Sequence, residues 1–219
     1  SSASKTDIVQ LLHVPDGRVH VVPLAGRSEH DPATTRIESI RRGNGLLAVG
    51  NRMPHKGFET LLEAHALLPA SARPPLTITG SGADDPLPAI IDRLGLGTTV
   101  SLRGWLSDEE LDGLYRTSAL YVLPTRFEGF GLPLLEAMAR GCPVIASDLP
   151  VLREVGGDAP VYVAPGDVAA LSAAIAELLP DDERRSQMAQ AGLIRAAGFS
   201  WKRAAEGTAR VFQRVVEAR

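Results

Sequence analysis

Cysteine is nearly absent from this 219-residue chain, Cys142 being the only one. One thiol closes no internal disulfide, so an apolar core must hold the fold. Such cysteine use suits a reducing compartment and predicts a cytoplasmic location. Long apolar runs are missing too. No stretch approaches the roughly 20 residues that cross a bilayer, and the first ten residues, SSASKTDIVQ, are polar and unlike a signal peptide. No membrane segment is expected in this chain. Charge of one sign is also lacking: 23 basic against 26 acidic residues leave a net charge of -3. This gives no bulk attraction for nucleic acid or an anionic membrane. The five histidines (His13, His20, His30, His55, His65) show no metal-ligand spacing, so no metal site is expected. There is no Ser/His/Asp set, internal repeat or low-complexity tract.

What is present is ordinary for a globular protein: 44% apolar and 22% charged residues. The length allows one large domain or two small ones. Ser4 to Leu12 reads as a short helix, Pro15-Asp16-Gly17 as a turn, and Arg18 to Leu24 (RVHVVPL) as a strand. Ala25 to Arg42 is polar and without period, as in a linker. From Leu46 the pattern is regular. Short apolar runs at Leu46–Val49, Leu76–Thr79, Val100–Leu102, Ala119–Leu123, Cys142–Ala146 and Pro160–Val163 read as strands. Cys142 opens one of them and is expected to be a buried structural thiol. Between and after them, helices are predicted at Phe58–Leu68, Leu87–Leu94, Ser107–Arg116, Leu132–Arg140, Asp167–Leu179, Asp181–Ala197 and Trp201–Glu217. Phe58, Leu61, Leu62, His65 and Leu68 share one helical face, which makes His65 a core histidine. Ser107-Asp108-Glu109-Glu110 has the pattern of a capping box. Alternating strands and helices predict an α/β fold: a Rossmann-like parallel sheet with helices on both faces.

In such sheets ligands bind beyond the carboxyl ends of the strands. Several post-strand segments carry suitable chemistry. Gly50, Arg52 and Lys56 follow the first regular strand. Two cations in a glycine-bounded loop suit a diphosphate. Gly80, Ser81 and Gly82 follow the second, although Asp85 stands where a dinucleotide fingerprint needs its third glycine. Arg103 and Gly104 follow the third. The densest stretch is the fourth, PTRFEGFGLPLLE from Pro124 to Glu136. Its glycines let backbone N–H groups approach a ligand, and the helix start behind them favours negative charge. Glu128 and Glu136 are acceptors suited to vicinal hydroxyls, and both are expected to face one pocket. Together these predict a sugar nucleotide as ligand.

At these residues the chain resembles the retaining GT-B glycosyltransferases of family 4. The resemblance rests on Glu128, seven residues, then Glu136, with EGFGLPLLEAMARGCPVIAS following a strand, and runs from about Leu46 to the C-terminus, including Phe199-Ser200-Trp201. It implies that residues 1–42 are the tail of an acceptor domain and a linker, with 43–219 the donor-binding domain. It implies Arg52, Lys56 and Glu128 as catalytic residues. Lys56 matches the family's loop well; Arg52 stands one place beyond the usual Gly-Arg. Donor binding falls to Gly50, Gly80, Ser81, Gly82, Arg103, Gly104, Trp105, Leu106, Gly129, Phe130, Gly131, Leu132 and Glu136. Arg103 to Leu106 would hold the base mainly through backbone groups, Glu136 the ribose, and Phe130 to Leu132 the sugar and distal phosphate. No cofactor is implied beyond the nucleoside-diphosphate sugar itself, and no Asp-x-Asp of the metal-dependent GT-A kind is present. The expected partners are the nucleotide sugar and the missing acceptor domain, with a homodimer possible through the leading helix and strand. A nucleotide-sugar epimerase of the same fold and a non-catalytic nucleotide-binding subunit remain alternatives.

Overall fold

The computed structural model describes residues 1–26, 43–81 and 85–217. The linker expected at 25–42 and Gly82 therefore fall almost wholly, and wholly, outside the described residues.

Six short strands form one parallel sheet: β1 (Leu46–Val49), β2 (Leu76–Thr79), β3 (Val100–Leu102), β4 (Leu120–Leu123), β5 (Val144–Ser147) and β6 (Val161–Val163), in the order β3-β2-β1-β4-β5-β6. The inner strands are mostly apolar, and most of their residues are buried, because both faces are covered. Their side chains still alternate. Leu46, Ala48, Leu120, Val122 and Ile145 face one core layer, and Leu47, Tyr121, Leu123, Val144 and Ala146 the other. Register follows from this alternation, with Leu46 opposite Leu76 on one side and Leu120 on the other.

The first layer is closed by α2 (Phe58–Leu67), α3 (Leu87–Arg93) and α7 (Val168–Leu178), and the second by α4 (Asp108–Thr117), α5 (Leu132–Ala139), α6 (Pro150–Gly156) and α8 (Asp182–Ala196). Phe58, Leu61, Leu62, His65 and Leu68 are all buried, as the single face required. His65 lies in the core with its Nε2 2.8 Å from the Pro74 carbonyl. Cys142 is a buried free thiol. The capping box forms at α4: the Ser107 hydroxyl accepts from Glu110 N–H, and the Glu110 carboxylate accepts from Ser107 N–H.

Two expectations need correction. Arg18–Leu24 does not form a strand. A 3-10 turn covers Asp16–Arg18, Val19 is extended, and residues 19–26 join no ladder among the described residues. An alternating apolar pattern specifies extended backbone, but a strand also needs a neighbour to pair with. Helix α6 was not expected. Its sequence, PVLREVG, is short, and only tertiary packing of Val151, Leu152 and Val155 on the second layer supports it. The leading helix α1 (Ser2–Leu12) packs on α6, and α9 (Trp201–Glu217) closes the chain.

Candidate functional site

The strand order reverses between β1 and β4, and at such a switch point the crevice that takes a ligand lies beyond the carboxyl ends of the strands. The loop after β1 holds a 3-10 turn, Pro54–Lys56, closed by Gly57 at φ 68°. A Cβ at Gly57 would lie 2.0 Å from the Pro124 carbonyl oxygen, so only glycine lets the two loops touch. The contact is stitched by hydrogen bonds to the His55 carbonyl. Arg126 N–H donates to it at 2.7 Å, and the Thr125 hydroxyl lies 3.0 Å from it and 2.9 Å from the Phe127 carbonyl.

This stitching places Lys56 against Glu128. The Lys56 Nζ stands 2.6 Å from Glu128 Oε1, with the two side chains only 13% and 10% exposed. At that burial the pair attracts more strongly than exposed charges do.

Arg52, from the same loop as Lys56, is held elsewhere. Its Nη1 pairs with Asp85 Oδ2 at 2.6 Å and its Nη2 donates to the Arg103 carbonyl at 2.7 Å. Asp85 also accepts from Leu87 N–H at the start of α3. The Arg52 N–H donates to the Ser81 carbonyl, and Gly80 N–H to the Gly104 carbonyl. Gly80, at φ 99°, lies so close to Gly50 that a Cβ would meet the Gly50 carbonyl at 2.0 Å. The exits of β1, β2 and β3 are thus one hydrogen-bonded unit, with Gly50, Arg52, Gly80, Ser81, Arg103 and Gly104 brought together. Past it, Leu106 is half-buried, Trp105 is 77% exposed, and Arg103 reaches Glu110 at 3.1 Å. The Glu110 carboxyl is held below its usual range chiefly by the Ser107 N–H.

At the β4 exit, Gly129 is exposed and Phe130 half-buried, edge-to-face with Phe199 at 6.1 Å. Gly131 (φ 91°) precedes α5, Leu132 begins it, and Pro133 sits in its first turn. Glu136 is buried in the second turn, with Gly26 packed against its side chain. Both Glu128 and Glu136 act on the Tyr121 hydroxyl: burial first, then these two carboxylates, push its pKa well above the usual phenolic value.

Three residues emerge that sequence reasoning did not assign: Asp85 on Arg52, Thr125 on His55, and Glu154, whose carboxylate accepts from Ser2 and Ala3 N–H. Asp85 and Thr125 stood in segments already singled out. Glu154 carried no local signal, because its partners lie about 150 residues away. Among the described residues no group of three His, Cys, Asp or Glu side chains could hold a metal. No described helix is long and apolar enough to cross a membrane.

Comparison with known proteins agrees with this geometry. Residues 36–195 match the family described as glycosyl transferases group 1. The chain is similar to O-antigen chain mannosyltransferase B of Escherichia coli, at 35% identity over 92% of this chain and 56% of that protein. It is also similar to the MMP alpha-(1->4)-mannosyltransferase of Mycolicibacterium hassiacum, at 33% identity over 99% and 53%. It therefore spans about half the length of these relatives. Among solved structures it superposes on a sucrose-phosphate synthase from Thermosynechococcus elongatus with TM-score 0.73, at 26% identity over 98% of this chain and 49% of that one. A glycosyltransferase from Rickettsia africae shares the fold at TM-score 0.84 and 18% identity, over 99% of this chain and 62% of that one. With the sheet order, the crevice and a family match over most of its length, this chain belongs to the glycosyl transferases group 1 family and is a Rossmann-like domain of the GT-B fold.

Proposed function

We propose that this chain is the donor-binding half of a retaining glycosyltransferase, moving a hexosyl group from a nucleoside diphosphate to an acceptor hydroxyl. The observation that carries this is the Lys56–Glu128 pair at 2.6 Å, formed by two different post-strand loops across the switch point. It gathers a cation for a leaving diphosphate and an acceptor for sugar hydroxyls at one place. Before donor arrives, each charge neutralises the other. A diphosphate competes for Lys56, and Glu128 is then released toward the sugar. As the glycosidic bond breaks, the diphosphate gains negative charge, which Lys56 and the N-terminus of α5 stabilise without a metal. Glu136 takes the ribose hydroxyls, Phe130 to Leu132 offer N–H groups to the distal phosphate, and the unit from Gly80 to Leu106 holds the base. Arg52 is engaged by Asp85, and we assign it the task of tying the loops, with Lys56 as the principal cation.

Residues 1–42 are read as the end of a preceding acceptor domain and a linker, and 43–219 as the donor domain. The acceptor, and the group that steers it to the face the leaving group departs from, come from that other domain. The names of the first relatives make mannosyl the first sugar to test.

Calorimetric titration with uridine, guanosine and adenosine diphosphates and their mannose and glucose conjugates tests the reading. Binding to one base series is expected, weakened about tenfold or more in Lys56→Ala through loss of a charge-assisted contact, and weakened also in Glu136→Ala. Equal binding by wild type and both variants, or no binding in any series, overturns it.

A further inference from the structure

The loop residue Gly129 is held in an unusual way. A Cβ built on it would meet nothing within 4 Å. Hydrogen bonds hold its carbonyl. The Ser4 hydroxyl donates to the Gly129 carbonyl at 2.8 Å and the Ser1 hydroxyl lies 3.1 Å from the same oxygen. Both serines belong to the start of α1, more than 120 residues away in sequence. The peptide unit is planar and trans, so anchoring the Gly129 carbonyl also fixes the Phe130 N–H, which points from the opposite edge of that plane. Among the described residues the Phe130 N–H makes no hydrogen bond of its own.

The start of α1 is in turn anchored by one side chain. Both carboxylate oxygens of Glu154, on α6, lie 2.8 Å from Ser2 N–H, and one accepts from Ala3 N–H at 3.2 Å. These are first-turn donors that the helix cannot satisfy itself. A carboxylate there also faces the positive end of the helix dipole. No residue of α1 is buried, so this polar anchorage, with Ala3 against the second core layer, sets where the helix starts.

We propose that Glu154 is a positioning residue for the donor site: it holds the start of α1 so that Ser1 and Ser4 fix the Gly129 carbonyl and aim the Phe130 N–H at the distal phosphate and sugar of the donor. This rests on the reading of the crevice as a donor site. It predicts a selective effect, because a nucleoside monophosphate has neither a distal phosphate nor a sugar beyond it.

The test is titration of the full chain with the nucleoside diphosphate sugar and the monophosphate of the same base. Wild type is compared with Glu154→Ala, Ser1→Ala/Ser4→Ala, the three changes combined, and Ser4→Thr, which keeps the hydroxyl. The first two are expected to bind the sugar nucleotide about fivefold more weakly, on the scale of one lost hydrogen bond, with monophosphate affinity unchanged. The combined variant should lose no more than the larger of the two, since both act through one carbonyl. Ser4→Thr should bind like wild type. Undiminished sugar-nucleotide affinity in the serine variant overturns the inference while leaving the donor site standing. Equal weakening of both ligands also overturns it, as that reports general loss of structure. Absence of any nucleotide binding by wild type removes the donor-site reading, and this inference with it.

Discussion

At the residue scale, burial decides the charge state of His65. Its ring is held below the usual value of 6.5, by burial first and by nearby Arg73 next, against the opposing pull of the Pro74 carbonyl. Its Nδ1 is buried without a partner among the described residues, so a second ring proton would be buried unpaired. The unfolded chain therefore binds that proton more readily than the folded one. The stability this contributes is present above about pH 6.5 and is lost as pH falls through the lowered folded value. Urea midpoints should drop on going from neutral to mildly acidic pH, and part of that drop should vanish in His65→Gln. Gly57 makes a second prediction. Its positive φ and the 2.0 Å approach of a Cβ to the Pro124 carbonyl leave no room for a side chain. Gly57→Ala should cost more than about 2 kcal/mol in chemical denaturation, as left-handed strain adds to forced movement of the loop. Because that loop carries Lys56, donor affinity should fall too.

At the element scale, α4 shows a local rule acting undisturbed. The Ser107–Glu110 box satisfies donors at the helix start, and Ser107→Ala should lower stability by about 1 kcal/mol, readable as a shifted urea midpoint. This element was legible because every group involved lies within four residues. The RVHVVPL segment was misread for the opposite reason. Its alternation is correct for extended backbone, but the partner that would make it a strand is not supplied by the sheet of 46–163. Helix α6, like α3, is too short at seven residues to be helical on its own and depends on packing. Its Leu152 then does something no local pattern records: a Cβ on Gly131 would come within 2.6 Å of Leu152 Cδ2, so α6 sets how closely the loop before α5 can pack.

At the scale of the whole molecule, the relatives are about twice as long as this chain. On the proposed reading, the chain alone, given donor and acceptor, is expected to transfer no sugar, and transfer should appear when the proposed acceptor domain is supplied; label from a radioactive donor reaching acceptor would measure both. A groove of about 890 Å³ lies apart from the crevice, between α1, the segment 19–23 and α9. Trp201 and Phe212 on α9 stand largely exposed beside it.

The sequence by itself determined the parallel α/β sheet, because continuous apolar runs separated by amphipathic helices have only that way to bury both faces. It also placed glycines, Lys56 and Glu128 in the loops that follow strands, and Glu136 on the helix after one of them. Only the tertiary structure decided which charges meet. Lys56 met Glu128 and Arg52 met Asp85 because strand order and two glycine contacts brought separate loops together. Glu154 reached the start of α1 for the same reason: hydrogen bonds between residues about 150 positions apart depend on how elements pack, which no local pattern encodes.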